Sequence, residues 1–447
     1  MSVLTSPGFW FLVVVTAWLA AGVALKGRSP VGYWYAVGYP LTWARINWTW
    51  RPLAVERNLF VNRSSGRALV GDLIVRGSDL RPIVPRLWIS RPNRAGLNVR
   101  IRMLPGQTPE QYAQASEAIM HAWRVQSVRV TSPSRGVVII TAMVTDPLAG
   151  VVVRNPEVTA VAAAGPADRA VLALLVGITE AGRSWIMNLR LVPHWLVIGA
   201  TRSGKSTLIH AIVSRLAPHN VALVGVDLKG GLELSVYGPR LSGLATTRAE
   251  AVDLFTALLD LIMDRMTLCK VAGVRAVWEL PDPPPPIVLI VDEIAEVFLL
   301  TNPRDREEAA LRDRATNTLL RLAQLGAALD LHLLLGGQRF GSELGPGATA
   351  LRAQATGRVC MHVNDSESAQ MVLGDVWPEA VATAQLITAE ERGTAVTSDG
   401  NGSWVRARGT LTSPVEAAET ARMYARITPV LDRITRPWDG RAGGEAG

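Results

Sequence analysis

Residues 194–206 read HWLVIGATRSGKS, and residues 207–213 continue TLIHAIV. The apolar run 194–198 predicts a buried strand, and the run after Ser206 predicts a helix. Between them Gly199–Ser206 spells an uninterrupted G-x-x-x-x-G-K-[ST]. A strand leading through a glycine loop into a helix is the context in which this motif cradles phosphate. Glycines let successive backbone N–H groups turn toward oxyanions, and the helix N-terminus adds partial positive charge. The candidate nucleotide-binding residues are therefore Gly199, Ala200, Thr201, Arg202, Ser203, Gly204, Lys205, Ser206 and Thr207. Lys205 is the group to reach the β- and γ-phosphates, and the Ser206 hydroxyl the group to hold Mg²⁺.

Working outward, residues 287–293 read IVLIVDE. A continuous apolar run suits a parallel strand covered on both faces. Asp292 at its end is placed to hold Mg²⁺ with Ser206, and Glu293 to orient or deprotonate an attacking water. Residues 221–227 (VALVGVD) and 331–335 make further buried strands, 358–363 another, and 172–179 with 184–189 a hairpin. Residues 254–266 and 305–325 read as helices, and the PDPPPP run at 281–286 stiffens the approach to the Asp292 strand. Strands alternating with helices predict an α/β fold with a mostly parallel sheet and nucleotide at the strand C-termini.

The chain has 447 residues, 49% of them hydrophobic, and a formal charge of +8. The charge is uneven: residues 26–150 hold 17 Lys/Arg against 6 Asp/Glu. Such an excess points to an anionic neighbour, lipid headgroups or nucleic acid, or else to a solvated basic surface. The two cysteines, Cys269 and Cys360, have no paired spacing, which argues against a disulfide framework or a structural zinc site. The first 25 residues carry no charge, and Phe9–Leu25 is long enough to cross a bilayer core. Lys26 and Arg28 follow at once, placing that side in the cytoplasm. A cleaved signal peptide is the competing reading, but it wants a basic start that Met1–Gly8 lacks. Residues 31–50 are rich in Trp and Tyr and broken by Pro40, which suits an interfacial segment better than a second span.

Residues 67–148 read as a small α+β module. Leu97–Leu104 alternates apolar and basic residues as a half-exposed strand does. Thr108-Pro109-Glu110-Gln111 starts a helix with a capping box, whose buried face is Tyr112, Ala115, Ile119 and Trp123. Strands at 127–131 and 137–144 flank a turn at 132–136. The expected organisation is an anchor (1–30), a juxtamembrane segment (31–66), the module (67–150), a linker (151–170), the P-loop unit (171–410) and a C-terminal helix with a disordered tail (411–447).

GATRSGKST, the Asp-Glu strand, LVGVDLKGGLELSVY (223–237) and LHLLLGGQR (331–339) together resemble the motor of the FtsK/SpoIIIE family of DNA translocases. RMLPGQTPEQYAQASEAIMHAW (102–123) is similar to the module preceding the motor in actinobacterial members, among them plasmid and integrative-element transfer proteins. The likeness covers roughly residues 65–400. It implies a RecA-like, ATP- and Mg²⁺-dependent pump for double-stranded DNA, working as a homo-hexamer at the cell membrane. It places Gln338 at a γ-phosphate sensor position. It also calls for an arginine supplied in trans, with Arg358 and Arg352 as candidates. Asp227 and Lys229 match the family's Asp-x-Lys, expected to hold nucleotide or a DNA-touching loop, while His194 reads as structural. Many relatives carry a C-terminal winged helix, and the chain after 410 is too short for one. This favours a mobile-element transfer protein over a chromosome pump. Two other functions stand beside it: a type VII-like protein-secretion ATPase, disfavoured by the single P-loop, and a nucleotide-switched scaffold, disfavoured by intact Lys205, Ser206, Asp292 and Glu293.

Overall fold

The structure is a computed structural model describing residues 16, 18, 22, 25–62, 82–148, 172–300, 302, 304–341, 344–398 and 403–437. It divides into two compact units meeting at Pro147/Leu148. The expected span at 9–25, the linker at 151–170 and the tail beyond 437 fall wholly or almost wholly outside the described residues. Among the described residues no helix is long and apolar enough to cross a membrane.

The first unit opens with α1 (Pro30–Tyr33), a π-turn over Trp34–Gly38 and α2 (Tyr39–Glu56). Pro40 does not break this helix. The Tyr39 N–H bonds back five residues to the Trp34 carbonyl, and the widened turn accommodates a ring that has no N–H to donate. Nor is the whole segment left for a membrane interface. Trp34, Ile46, Trp50, Leu53 and Ala54 are buried in the unit's own core, while Trp43 and Trp48 stay exposed. Short β1 (Val61–Asn62) and β2 (Pro82–Ile83) pair with each other. A four-stranded antiparallel sheet follows, ordered β3 (Leu87–Ile89), β4 (Gly96–Arg102), β6 (Val137–Met143), β5 (Ser127–Ser134). Between β4 and β5 lie α3 (Pro109–Gln114) and α4 (Ser116–Trp123). The Thr108 N–H donates to Gln111 Oε1 at 3.2 Å, so the capping box forms as its spacing predicts. Tyr112, Ala115, Ile119 and Trp123 are all buried against Leu97, Val99 and Ile101 of β4 and Val138, Ile140 and Ala142 of β6. Period-2 alternation thus sends one side of the sheet to the helices and leaves the other side open.

The second unit is built on one ten-stranded sheet. Its parallel part runs β11 (Leu241–Ala245), β10 (Ala222–Val226), β12 (Ile287–Val291), β13 (Leu331–Gly337), β9 (His194–Ile198), β14 (Gly357–Cys360). It continues antiparallel through β15 (Thr394–Ser398), β16 (Trp404–Gly409), β7 (Ala173–Thr179) and β8 (Ser184–Asn188). The expected mostly parallel sheet is therefore mixed. Residues 172–189 form the expected hairpin, but it closes onto β16 rather than standing apart. β15 and β16 had no apolar run strong enough to announce them, since Arg406 and Arg408 interrupt the pattern.

Alternation splits the parallel strands between two cores. Leu289 and Val291 face α6 (Arg248–Ala272) and α8 (Arg306–Leu325), whereas Val288 and Ile290 face α5 (Lys205–Leu216) and α12 (Pro414–Met423). Each such side chain removed from water is worth about 1.5–3 kcal/mol, which is why these strands read as unbroken apolar runs. The helix expected at 254–266 is twice that length. It starts at a capping box in which Thr247 and Glu250 bond reciprocally, and it ends at Gly273 in the left-handed region. Among the described residues, those beyond 410 are part of this unit rather than an appendage. Ala417 and Ala421 are buried in its core, Thr428 Oγ1 donates to the Pro239 carbonyl, and the Pro429 carbonyl accepts from Ser242 Oγ. Cys269 and Cys360 are buried free thiols, and burial raises the Cys360 thiol to about 12.

Candidate nucleotide site

Parallel register brings the C-terminal ends of β9, β10, β12 and β13 to one edge, so Gly199, Asp227, Asp292 and Gln338 lie side by side there. β9 sits between β13 and β14, and its onward connection through α5 leads to β10 two strands beyond β13. This is the place where ligands enter open α/β sheets.

The loop from β9 to α5 is shaped by backbone conformation and by cross-links. Arg202 and Gly204 take positive φ, 68° and 110°. The Gly199 N–H donates to the Gly337 carbonyl at 3.1 Å, and the Ala200 N–H to the His362 carbonyl at 2.8 Å. The Gly393 N–H donates to the Ser203 carbonyl at 2.7 Å. A Cβ on Gly204 would stand 2.6 Å from the Gly393 nitrogen, so position 204 requires glycine both for its φ and for this close approach. The loop borders a cavity of about 570 Å³. Gly199, Ala200, Thr201, Arg202, Gly204, Lys205, Ser206 and Thr207 line it together with Asp292 and Gln338. Ser203 is the exception among the motif residues. Its side chain is buried, with Oγ 3.8 Å from Met361 Sδ, which leaves its main chain to serve the loop.

Lys205 Nζ donates to the Asp292 carbonyl at 2.7 Å and lies 3.4 Å from Asp292 Oδ1 and 3.8 Å from Glu293 Oε2. Lys229 Nζ reaches the same Glu293 oxygen at 3.4 Å. The other, Glu293 Oε1, accepts the Gln338 N–H at 3.1 Å. Glu293 is only 7% exposed, so two cations and one amide hold a carboxylate that burial alone would disfavour. Gly336 and Gly337 permit this crowding. A Cβ at Gly336 would fall 2.5 Å from the Asp292 carbonyl, and one at Gly337 would fall 3.1 Å from Glu293 Oε1.

Asp227 does not enter the cavity. It is buried, and its carboxylate accepts the N–H groups of Lys229, Glu233 and Leu234 at 3.2, 2.8 and 3.2 Å. Asp227 therefore closes the loop that carries Lys229, with Gly230 and Gly231 both at positive φ. His194 is likewise structural. Its Nδ1 accepts the Leu333 N–H at 3.2 Å, and burial, with His332 nearby, lowers it to about 4.

Arg358, a candidate for the trans arginine, does not reach the surface of this chain. It is 3% exposed on the central strand β14, and its guanidinium donates to the Arg352 carbonyl at 2.7 Å. Burial lowers it to about 10. An arginine meant to enter a neighbour's site must project from the surface. Arg352 is in turn paired with Asp375 at 3.0 Å. The cavity wall also holds residues that sequence reasoning missed, Arg392 and Gly393 before β15 and Arg408, Gly409 and Leu411 around the end of β16. They arrive through pairing of strands roughly two hundred residues beyond the loop, and no local pattern marks them.

The comparisons with known proteins divide the chain in the same way. Residues 21–144 match the actinomycete conjugal transfer protein N-terminal domain, and residues 157–282 match the FtsK/SpoIIIE family. The transfer protein TraSA of Streptomyces ambofaciens is 38% identical over 358 residues, covering 77% of this chain and 83% of that protein. The DNA translocase FtsK of Listeria monocytogenes is 29% identical over 223 residues, covering 45% of this chain and 28% of that protein. Among solved structures, the pCW3 conjugation coupling protein TcpA, in monomer form with ATPγS, shares the fold at a TM-score of 0.53 and 20% identity, covering 75% of this chain and 93% of that one. With a P-loop cavity lined by Lys205 and Asp292, and residues 21–144 matching the conjugal-transfer domain earlier in the sequence, the chain belongs to the FtsK/SpoIIIE family of ATP-hydrolysing motors.

Proposed function

We propose that this chain is a membrane-anchored, ATP-driven translocase of double-stranded DNA serving conjugal transfer, and that it works as a ring of six. The observation that carries the motor reading is the cluster in which Lys205 and Lys229 converge on Glu293 beside a phosphate-sized cradle. The transfer protein and DNA translocase to which the chain is similar support the cargo. The apolar, uncharged residues 9–25 support the anchor.

The loop suits ATP and Mg²⁺ by its donor set: a turn with Arg202 and Gly204 at positive φ that opens the helix starting at Lys205, one lysine, a half-buried Ser206 hydroxyl and the buried Asp292 carboxylate. Ser206 and Asp292 would hold the metal, which when bound neutralises charge on the β- and γ-phosphate oxygens. Lys205 turns from the carboxylates to the phosphates when nucleotide enters. Glu293 then keeps Lys229 and the Gln338 N–H, and in that hold it orients a water and accepts its proton. Gln338, exposed at the cavity wall, senses the γ-phosphate. Lys229 links the Glu293 carboxylate to the 227–234 loop, so the state of the nucleotide reaches a surface segment. Arg202, Arg392 and Arg408 add positive charge around the cavity.

The test is turnover by the full-length protein solubilised in detergent, with and without duplex DNA, together with displacement of a triplex-forming strand from linear duplex. Turnover should rise severalfold with duplex and vanish in Lys205→Ala. Turnover indifferent to DNA would point to protein cargo, and none at all would leave a scaffold.

A further inference from the structure

The open side of the four-stranded sheet in the first unit carries a row of cations with no acidic residue among them. Trp88 of β3 lies opposite Arg100 of β4, Arg100 opposite Ile139 of β6, and Ile139 opposite Thr131 of β5. The next rows place Asn98 beside Thr141 and Arg129, and Arg102 beside Val137. Trp88 is 53% exposed, and Arg86, Arg100 and Arg102 are exposed. None of those three arginines makes an ion pair among the described residues. An open groove of about 490 Å³ adjoins the Trp88 edge and adds Arg51 to the charged rim.

We infer that this sheet face binds a single-stranded stretch of nucleic acid, with phosphates on Arg86, Arg100 and Arg102 and an unpaired base stacked on Trp88. The chemistry is that of stacking platforms: an exposed indole for a base's π-face, guanidinium groups for the backbone, and Asn98, Thr131 and Thr141 for sugar and base edges. Geometry disfavours a duplex. Four strands about 4.8 Å apart span roughly 14 Å before side chains are added, too broad for a major groove about 12 Å wide. A bilayer surface fits less well, because apart from Trp88 the face offers threonines, an asparagine and short aliphatics rather than a belt of aromatics. The exposed Trp43 and Trp48 of α2 suit lipid better. The inference concerns a surface outside the nucleotide site and does not rest on turnover.

The experiment uses the full-length protein without nucleotide and follows fluorescence anisotropy of a labelled oligothymidylate, a labelled duplex of equal length and, by co-sedimentation, phosphatidylglycerol vesicles. The oligothymidylate should bind more tightly than the duplex. Trp88→Ala should weaken its binding about tenfold, and Trp88→Phe should restore it, which separates stacking from misfolding. Replacing Arg100 and Arg102 together with Gln should lower the salt slope by about 1.4, the release expected for two single-strand phosphates. Equal binding by Trp88→Ala and the parent overturns the proposal. So does a duplex held as tightly as the single strand with the same Trp88 dependence, or vesicle binding that takes the Arg100 and Arg102 dependence instead. A chain that never hydrolyses ATP could still pass this test, so the two readings fail separately.

Discussion

Lys229→Met tests the water-positioning role proposed for Glu293 separately from phosphate binding. The Lys229 ammonium lies 3.4 Å from Glu293 Oε2, with the lysine side chain 42% exposed. At that distance two unit charges attract by about 5 kcal/mol at an effective dielectric of 20 and about 1.2 kcal/mol in bulk water. Half-exposure of the lysine and screening by salt bring the net hold to roughly 1–2 kcal/mol. If this hold persists in the transition state, its loss lowers kcat about 5- to 30-fold. KM and the affinity for a non-hydrolysable analogue should move less than threefold, because the proposed phosphate contacts are Lys205 and the loop backbone. Lys229→Arg should recover most of the rate. The assay is steady-state ATPase with saturating duplex, alongside fluorescent-nucleotide titration. A kcat within twofold of the parent, or a loss appearing wholly in KM, would refute the assignment of Lys229 to Glu293.

Three further outcomes are expected. Gly204→Ala forces an L-residue to φ 110° and sets its Cβ against the Gly393 backbone, so at least about 1–2 kcal/mol of conformational cost adds to a clash that cannot relax. Loss of nucleotide binding with a lowered melting temperature is the predicted result, and unchanged binding would contradict it. His194 titrates near 4 in the folded chain, below its ordinary 6.5, so the unfolded state takes up its proton first as pH falls. Stability is fully present above about 6.5 and is lost as pH drops toward 4, by up to about 3 kcal/mol from this group. Urea midpoints should therefore fall less steeply between pH 7 and pH 4.5 in His194→Asn, and parallel slopes would exclude the effect. Arg358→Met should retain ATPase activity within a few-fold, since among the described residues the guanidinium's hydrogen bond goes to the Arg352 carbonyl and a buried cation exchanged for a fitting apolar chain is often neutral. A collapse of turnover on mixing parent and variant subunits would support the trans role.

What was legible in the chain was what short-range chemistry determines. HWLVI and IVLIV are apolar throughout because both faces of a parallel strand are covered, so the nucleotide edge of the sheet could be read from composition and spacing. The Thr108–Gln111 box announced its helix because capping involves neighbours three residues apart. Pro40 misled because the bond that rescues it belongs to a π-turn, which local propensity does not encode. In the antiparallel half the hairpin of β7 and β8 was legible, but β15 and β16 escaped because Val396 pairs with Cys360 and Arg408 with Ile178, both far off in sequence, and β16 alternates with charge. Arg358 looked available because residue type says nothing about depth, and only pairing of β14 with β9 on one side and β15 on the other buries it. The convergence of Lys229 on Glu293 was half visible. Asp-x-Lys marked the loop, but the partner of the lysine lies 64 residues onward.

The hydrogen bond from Gly393 to the Ser203 carbonyl, continued by Gly409 to Gly393 and Thr410 to Val176, ties the nucleotide loop to the far half of the sheet. A cradle stitched at its base in this manner has little freedom to reshape between fuel and spent product. Mechanical output must therefore leave through parts less firmly sewn down: the Lys205 side chain, and the diglycine segment that bears Lys229 and presents Leu232 to solvent. The stiff half of the machine is its grip on the phosphate, and the compliant half is the lever beside it.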